Sequence, residues 1–248
     1  MPIDREFAAE KQYKVYYDSV SKKPWDAYMT KVDLRNGPYG DYVFYKMQII
    51  FDSNRELYIV LTRYGSIGEH GMHQRTPFND VEEAKKEFRS IFKSKSGNEW
   101  DAPSFVPQRK KYELTQVNYS NVKHQDYLAP FDFENCAKSA GLPSSVENII
   151  EEISNVTMYQ RAIKTIGIDE SKLPVSALKR EAINEAKAIL QQISVAITKL
   201  ADLRKLGMRA DYDDIMTVMS QLSDLSSKYY QLIPKKVAED AIVKPIKE

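Results

Sequence analysis

The sequence predicts an α+β chain, a small antiparallel sheet with a packed helix followed by an all-α helical bundle. Three observations predict it. Residues 42–62 hold two runs rich in aromatic and β-branched side chains, separated by a polar tetrapeptide. Residues 80–97 carry the apolar period of a capped amphipathic helix. From Gly141 onward that helical period takes over and no convincing strand follows.

The hairpin comes first. Tyr42 to Phe51 (YVFYKMQIIF) and Leu57 to Thr62 (LYIVLT) flank Asp52-Ser53-Asn54-Arg55, a run of turn formers. The first strand alternates imperfectly, so one of its faces is expected beneath a helix. That helix is expected at 81–95, with Asp80 as its cap and Glu83 completing a capping-box-like pattern. Val81, Ala84, Phe88, Ile91 and Phe92 share a face, and Ser96-Gly97-Asn98 stops the helix. Lys93 and Lys95 suit its negative end, and Trp100 is expected to fold back on the core. Residues 101–141, with prolines at 103, 107 and 130, read as one strand (Lys111 to Val117) and otherwise a linker.

In the second half, Ser144 or Ser145 caps a helix presenting Val146, Ile149, Ile150 and Ile153. A short helix at 157–166 ends at Gly167, and Pro174 and Ser176 open a long one. Its apolar stripe is Leu178, Ala182, Ile183, Ala186, Ile189, Leu190, Ile193, Ile197 and Leu200, and Gly207 breaks it. A last helix from Asp211 to Leu232 carries Ile215, Met219, Leu222, Leu225 and Tyr229 and stops before Pro234. The expected division is 1–120, a linker at 121–140, a helical domain at 141–236 and a tail at 237–248.

Composition narrows the function classes. Of 248 residues, 42% are hydrophobic and 29% charged, which is globular rather than disordered. The formal net charge is +1, with 19 basic against 17 acidic residues in 1–115 and 17 against 18 in 116–248. No long-range field steers the chain to nucleic acid or membrane, so any anion site is local. The single cysteine, Cys136, excludes an internal disulfide and a Cys-rich zinc site and fits a reducing compartment. The N-terminus has no apolar run for a signal peptide, and its acidic residues oppose a mitochondrial presequence. No stretch approaches the roughly 20 apolar residues that span a bilayer. The expectation is a soluble intracellular protein.

Several motifs, taken in order, then resemble a known family. Tyr45-Lys46-Met47-Gln48, Arg63-Tyr64-Gly65-Ser66-Ile67-Gly68, Asn98 with Trp100, and Lys111-Tyr112-Glu113-Leu114 resemble the WGR domain of DNA-dependent poly(ADP-ribose) polymerases. That domain runs Y-K-x-Q, R-W-G-R-x-G, a helix, N-x-W and K-Y-x-L. Gly141-Leu142-Pro143-Ser144-Ser145-Val146, Lys172-Leu173-Pro174-Val175-Ser176-Ala177-Leu178 and the run from Leu225 to Pro234 resemble the helical regulatory domain of the same enzymes. The series extends over residues 25–236.

Two departures shape what the resemblance implies. The signature tryptophan is Tyr64 and its second arginine is Ser66. The family tryptophan is implied to stack on the sugar at a DNA 5′ end, which Tyr64 could do in part, whereas Ser66 supplies no charged fork. In the family a catalytic ADP-ribosyltransferase domain follows the helical one, while this sequence stops at Glu248. The expectation is therefore a chain with no catalytic residues and no cofactor, whose helical bundle a protein partner completes.

The candidate contact residues for nucleic acid or a partner are Lys46, Gln48, Arg63, Tyr64, Gly65 and Ser66. Arg63 and Tyr64 read either as a cation beside an aromatic platform or as an edge-strand pair packed on its neighbours. Gly65 and Gly68 fit turn positions with φ > 0. Glu69-His70-Gly71-Met72-His73 sits on a glycine-containing loop without the fixed spacing of a helical metal motif, so no metal is expected. Cys136 and His124 have no third group to orient them as nucleophile and base. Arg109-Lys110-Lys111 could touch phosphate or serve in import, though a solvated strand start is favoured, and Met208, Met216 and Met219 read as bundle core. The function expected is a non-catalytic scaffold held by protein partners in a larger complex. The alternative is a module binding DNA ends at a 5′-phosphorylated nick or break. The location is the nucleus by family resemblance, or a cytoplasmic or cytoskeletal assembly for a scaffold.

Overall fold

The computed structural model describes residues 3–4, 7, 12–18, 23–115, 143–153, 165, 178–207, 211–235 and 244–246. Cys136, His124, Met208, the linker at 121–140 and nearly all of the expected helix at 157–166 lie outside these residues, as does the start expected for the long helix at 174–176.

The expected hairpin is the centre of a larger sheet. β3 (Asp41–Asp52) and β4 (Leu57–Ser66) pair antiparallel around a tight turn, with Tyr45 opposite Tyr64 and Lys46 opposite Arg63. The Asp52 carboxylate accepts from the N–H groups of Asn54 and Arg55, and Glu56 takes φ +54 to close the loop. β2 (Asp26–Asp33) and β6 (Glu113–Leu114) extend the sheet on one side and β5 (Met72–Phe78) on the other, in the order β5-β4-β3-β2-β6. β1 (Tyr13–Val15) pairs with the far end of β3.

Strand alternation sorts the sheet into two faces. On one lie Trp25, Ala27, Met29, Tyr45, Met47, Ile49 and Val60, packed against Ala84, Phe88 and Phe92 of α1 (Val81–Ser96). The expected cap is in place, since the Asp80 carboxylate accepts from the Glu83 N–H at 3.3 Å. Gly97 ends the helix at φ +75 and donates to the Lys93 carbonyl. Trp100 folds back as expected, against Trp25, Phe88 and Phe92. Asn98 exchanges hydrogen bonds with the Val106 backbone in both directions, so the N-x-W motif is a loop staple beside a core indole.

The opposite face carries Asp26, Tyr28, Thr30, Phe44, Lys46, Gln48, Ile50, Ile59, Leu61 and Arg63. An N-terminal strap covers part of it. Phe7 is buried against Ile50, Ile59 and Leu61, and Asp4 lies beside Lys46 and Arg63.

The second half is helical: α2 (Ser144–Ile153), α3 (Arg180–Lys205) and α4 (Tyr212–Leu232), with α4 capped by the Asp211 carboxylate on the Asp213 N–H. α3 and α4 bury Ile189, Ile193, Ala196 and Leu200 against Val218, Leu222 and Leu225. Several residues read as inward-facing are not. Val146, Ile149, Ile150, Ile183 and Leu190 are exposed, as are Met216 and Met219. A period of 3.6 gives a stripe wider than one neighbouring helix can cover, so its margins stay out.

α4 also docks on β2. The Gln231 side-chain amide donates to the Thr30 carbonyl at 2.8 Å and to its hydroxyl at 2.7 Å. The Ser227 hydroxyl accepts from the Leu34 N–H, and the Tyr42 hydroxyl donates to the Lys235 carbonyl.

Candidate functional site

The six candidate residues divide between the two faces of the sheet. Lys46, Gln48 and Arg63 are gathered on the strap side. The Asp4 carboxylate lies 3.0 Å from Lys46 Nζ and 3.0 Å from Arg63 Nε, and its N–H donates to Gln48 Oε1 at 2.9 Å. Gln48 turns its amide nitrogen the other way, donating to Asp26 Oδ1. The Arg63 Nη1 donates to the His70 carbonyl at 2.9 Å, and its guanidinium lies 5.2 Å from the centre of the Phe44 ring. Asp4 is 0% exposed and Arg63 2%, which closes this pair to any external ligand in this arrangement.

The network has one uncomfortable member. Burial pushes the Asp26 carboxyl up, opposed by Lys46 and the Gln48 hydrogen bond and reinforced by Asp4. Among the described residues, Asp26 Oδ2 and the Tyr28 hydroxyl, neighbours on this face of β2, are buried without a hydrogen-bond partner.

Tyr64 points to the other face, so Arg63 and Tyr64 do not form the cation-beside-platform expected of consecutive residues. Alternation along β4 separates them. Tyr64 instead stacks on Tyr45 across the strand pair, with ring centres 5.7 Å apart and planes 9° apart. Tyr112 meets Tyr45 edge-on at 5.7 Å. Lys95 Nζ lies 4.9 Å from the Tyr45 ring centre, so the cation is there, supplied by α1 rather than by β4. Tyr45 is buried while Tyr64 and Tyr112 are half-buried, which leaves a tier of tyrosines reaching the surface beside exposed Ser66 and exposed Met72. Burial raises the phenols of Tyr45 and Tyr112, keeping both neutral.

The glycines have different reasons. Gly68 has the left-handed φ expected, +86. Gly65 does not; its need is room, because a Cβ there would sit 2.8 Å from the Gly71 Cα. Gly71 has φ +70, and a Cβ there would run into the Tyr64 carbonyl and the Phe44 ring. The two glycines let the loop before β5 lie directly on the end of β4, where the Arg63 bond to His70 holds it. Ser66 ends β4 opposite Val43.

His73 lies on β5 rather than on the glycine loop, which sequence periodicity missed because MHQRTPF is a polar edge strand with a proline. Among the described residues no group of His, Cys, Asp and Glu side chains could hold a metal ion, and no helix is long and apolar enough to cross a membrane. Sequence reasoning also missed Asp4, Tyr45, Lys95 and Tyr112. Asp4 carries no periodic signal, whereas Tyr45 and Tyr112 stood within quoted motifs and needed only the register to be joined.

Comparison with known proteins finds two matching families. Residues 25–106 match the WGR domain, and residues 140–248 match the regulatory domain of poly(ADP-ribose) polymerase. The chain is similar to the poly [ADP-ribose] polymerase tankyrase of Caenorhabditis elegans, with 34% identity over 85% of this chain and 9% of that one. It is 25% identical to poly [ADP-ribose] polymerase 1 of the same organism, over 94% of this chain and 22% of the other. Against poly [ADP-ribose] polymerase 1 of Xenopus laevis it is 26% identical, over 86% and 19%. The chain thus spans less than a quarter of the length of each of these relatives.

Proposed function

The chain belongs to the proteins that join a WGR domain to a poly(ADP-ribose) polymerase regulatory domain, and from that premise we propose that it is a binding module rather than a catalyst, with the tyrosine tier as its working surface. In this reading the tier takes the flat sugar or base face at a nucleic-acid end. The observation that carries it is Tyr64, which stands where the family has tryptophan and is held parallel on Tyr45 with Lys95 close by. A ring fixed by a second ring loses little freedom when a third flat group stacks on it. Such stacking is worth about 1–3 kcal/mol per base. Lys46, Gln48 and Arg63 act indirectly, by locking the β3–β4 pair that places Tyr45 and Tyr64.

A protein scaffold is the second reading. Exposed Ile183, Leu190 and Val195 on α3 and Tyr212 and Met216 on α4 favour it, because a contiguous apolar patch in a folded chain marks an interface.

Fluorescence anisotropy with a 5′-phosphorylated nicked duplex and an intact duplex of the same sequence separates the two. The end-binding reading expects preference for the nick, and the scaffold reading expects weak binding that ignores it. Labelled NAD incubated with this chain and the nicked duplex is expected to leave protein and DNA unlabelled, and reproducible labelling would contradict the non-catalytic reading.

A further inference from the structure

Beside the tyrosine tier the chain makes a tight turn. Lys111 N–H donates to the Gln108 carbonyl, and Tyr112 N–H donates to the Lys95 carbonyl, so residues 108–112 wrap the C-terminal end of α1. Lys110 sits in that turn at φ +61, a left-handed conformation that costs a β-carbon-bearing residue free energy and that glycine would adopt freely. That conformation places an exposed lysine in the turn, next to exposed Arg109. Neither has an ion pair among the described residues.

The surrounding charges strengthen the point. Of the acidic residues close by in sequence, Glu99 and Asp101 are taken up by Lys93 at 2.5 Å and Arg89 at 2.6 Å, and half-buried Glu113, opposite Thr30, lies in the field of Glu185 and Lys228. The carbonyl end of α1 would itself repel an anion, but Lys111 Nζ caps the Ser94 carbonyl at 2.8 Å and Gly97 N–H caps that of Lys93. What remains is a local cationic surplus from Lys95, Arg109, Lys110 and Lys111 in a chain whose net charge is +1. Arg109 and Lys110 lie two or three residues from Tyr112, within about 11 Å of extended chain.

We infer that the turn at Arg109–Lys110 is a phosphate-backbone contact, gripping a nucleic-acid strand whose end rests on the tyrosine tier. The inference rests on the end-binding reading and deepens it: the tier selects the end, and the turn supplies affinity that does not depend on sequence or on an end. Phosphate contacts of this kind weaken binding uniformly when lost and lower the salt slope by about one per contact.

The test is the double variant Arg109→Ala/Lys110→Gly in the full chain, which removes both charges and relieves the strain at 110. Its affinity for nicked and intact duplex is measured across a salt series beside wild type and Tyr64→Ala. The expected result is weaker binding to both DNAs, a slope smaller in magnitude by about two, and an unchanged nick preference. Unchanged affinity and slope in the double variant, with nick preference still lost in Tyr64→Ala, overturn the phosphate turn and leave the tier standing. A wild-type protein that binds neither DNA at low salt overturns both.

Discussion

Asp4 and Arg63 form an ion pair at 3.0 Å from which solvent is almost wholly excluded, joining the start of the chain to the middle of its sheet. Ile3, Asp4 and Phe7 thus belong physically to the sheet domain, although the WGR match begins at residue 25. Removing Asp4 strands the Arg63 charge in the interior, at a cost of about 3–5 kcal/mol, whereas removing Arg63 leaves Asp4 with Lys46 at 3.0 Å. Asp4→Ala is expected to lower the urea midpoint by a corresponding amount, and Arg63→Ala by less. The double variant should lose clearly less than the sum of the two, because the second substitution removes the stranded charge. Additive losses would show that the pair is not coupled.

Asp26 makes stability depend on pH in a stated direction. Its folded carboxyl is raised by burial, so within the window from the unfolded value of about 4 up to the folded one the native state binds the extra proton. Its contribution is full below that window and is lost as pH rises through the folded value. Asp26→Asn keeps an oxygen to accept from Gln48 and never ionises. The variant is expected to be more stable than wild type at pH 7, with the difference shrinking as pH falls toward 4. Thermal midpoints of the two proteins across this range check it; a variant less stable at pH 7 would mean that ionised Asp26 is compensated by Lys46.

Gly65→Ala places a methyl group 2.8 Å from a backbone carbon that has no rotamer to escape into. Overpacking of this kind costs about 1–3 kcal/mol. Chemical denaturation reads the loss, and a neutral outcome would mean that the loop at Gly71 moves freely away from β4.

Gln231 on α4 donates twice to Thr30 on β2, and Tyr42 is bonded to Lys235. Gln231→Ala combined with Tyr42→Phe removes these links without touching either core. Each bond contributes about 1 kcal/mol, so the sheet and the helices are expected to unfold in two separated transitions. Calorimetry that still gives a single sharp transition would place the coupling elsewhere.

Much of the fold was legible because it rests on local period. The β3–β4 hairpin, α1 with its Asp80 cap and Gly97 stop, and α4 with its Asp211 start each follow from apolar spacing bounded by capping residues. β2 and β5 were not legible. The first, DAYMTKVD, mixes polar residues into a buried strand, and the second is an edge strand whose polar side chains face solvent. The site was half legible. Tyr64 stood out by its motif, but its pairing with Tyr45 and Lys95 depends on cross-strand register and on the helix end packed above. Lys46, Gln48 and Arg63 looked like free polar groups because their partner Asp4 is far away in sequence, in a segment with no pattern of its own.

The tyrosine tier is tested most directly by the affinity of wild type, Tyr64→Ala and Tyr64→Trp for a 5′-phosphorylated nick relative to intact duplex, at one fixed salt concentration. The account predicts a preference for the nick of about tenfold or more in wild type, corresponding to stacking of about 1.4 kcal/mol or more. It predicts loss of that preference in Tyr64→Ala and its retention in Tyr64→Trp. Equal affinity of wild type for the two DNAs, or a preference that survives in Tyr64→Ala, would contradict it.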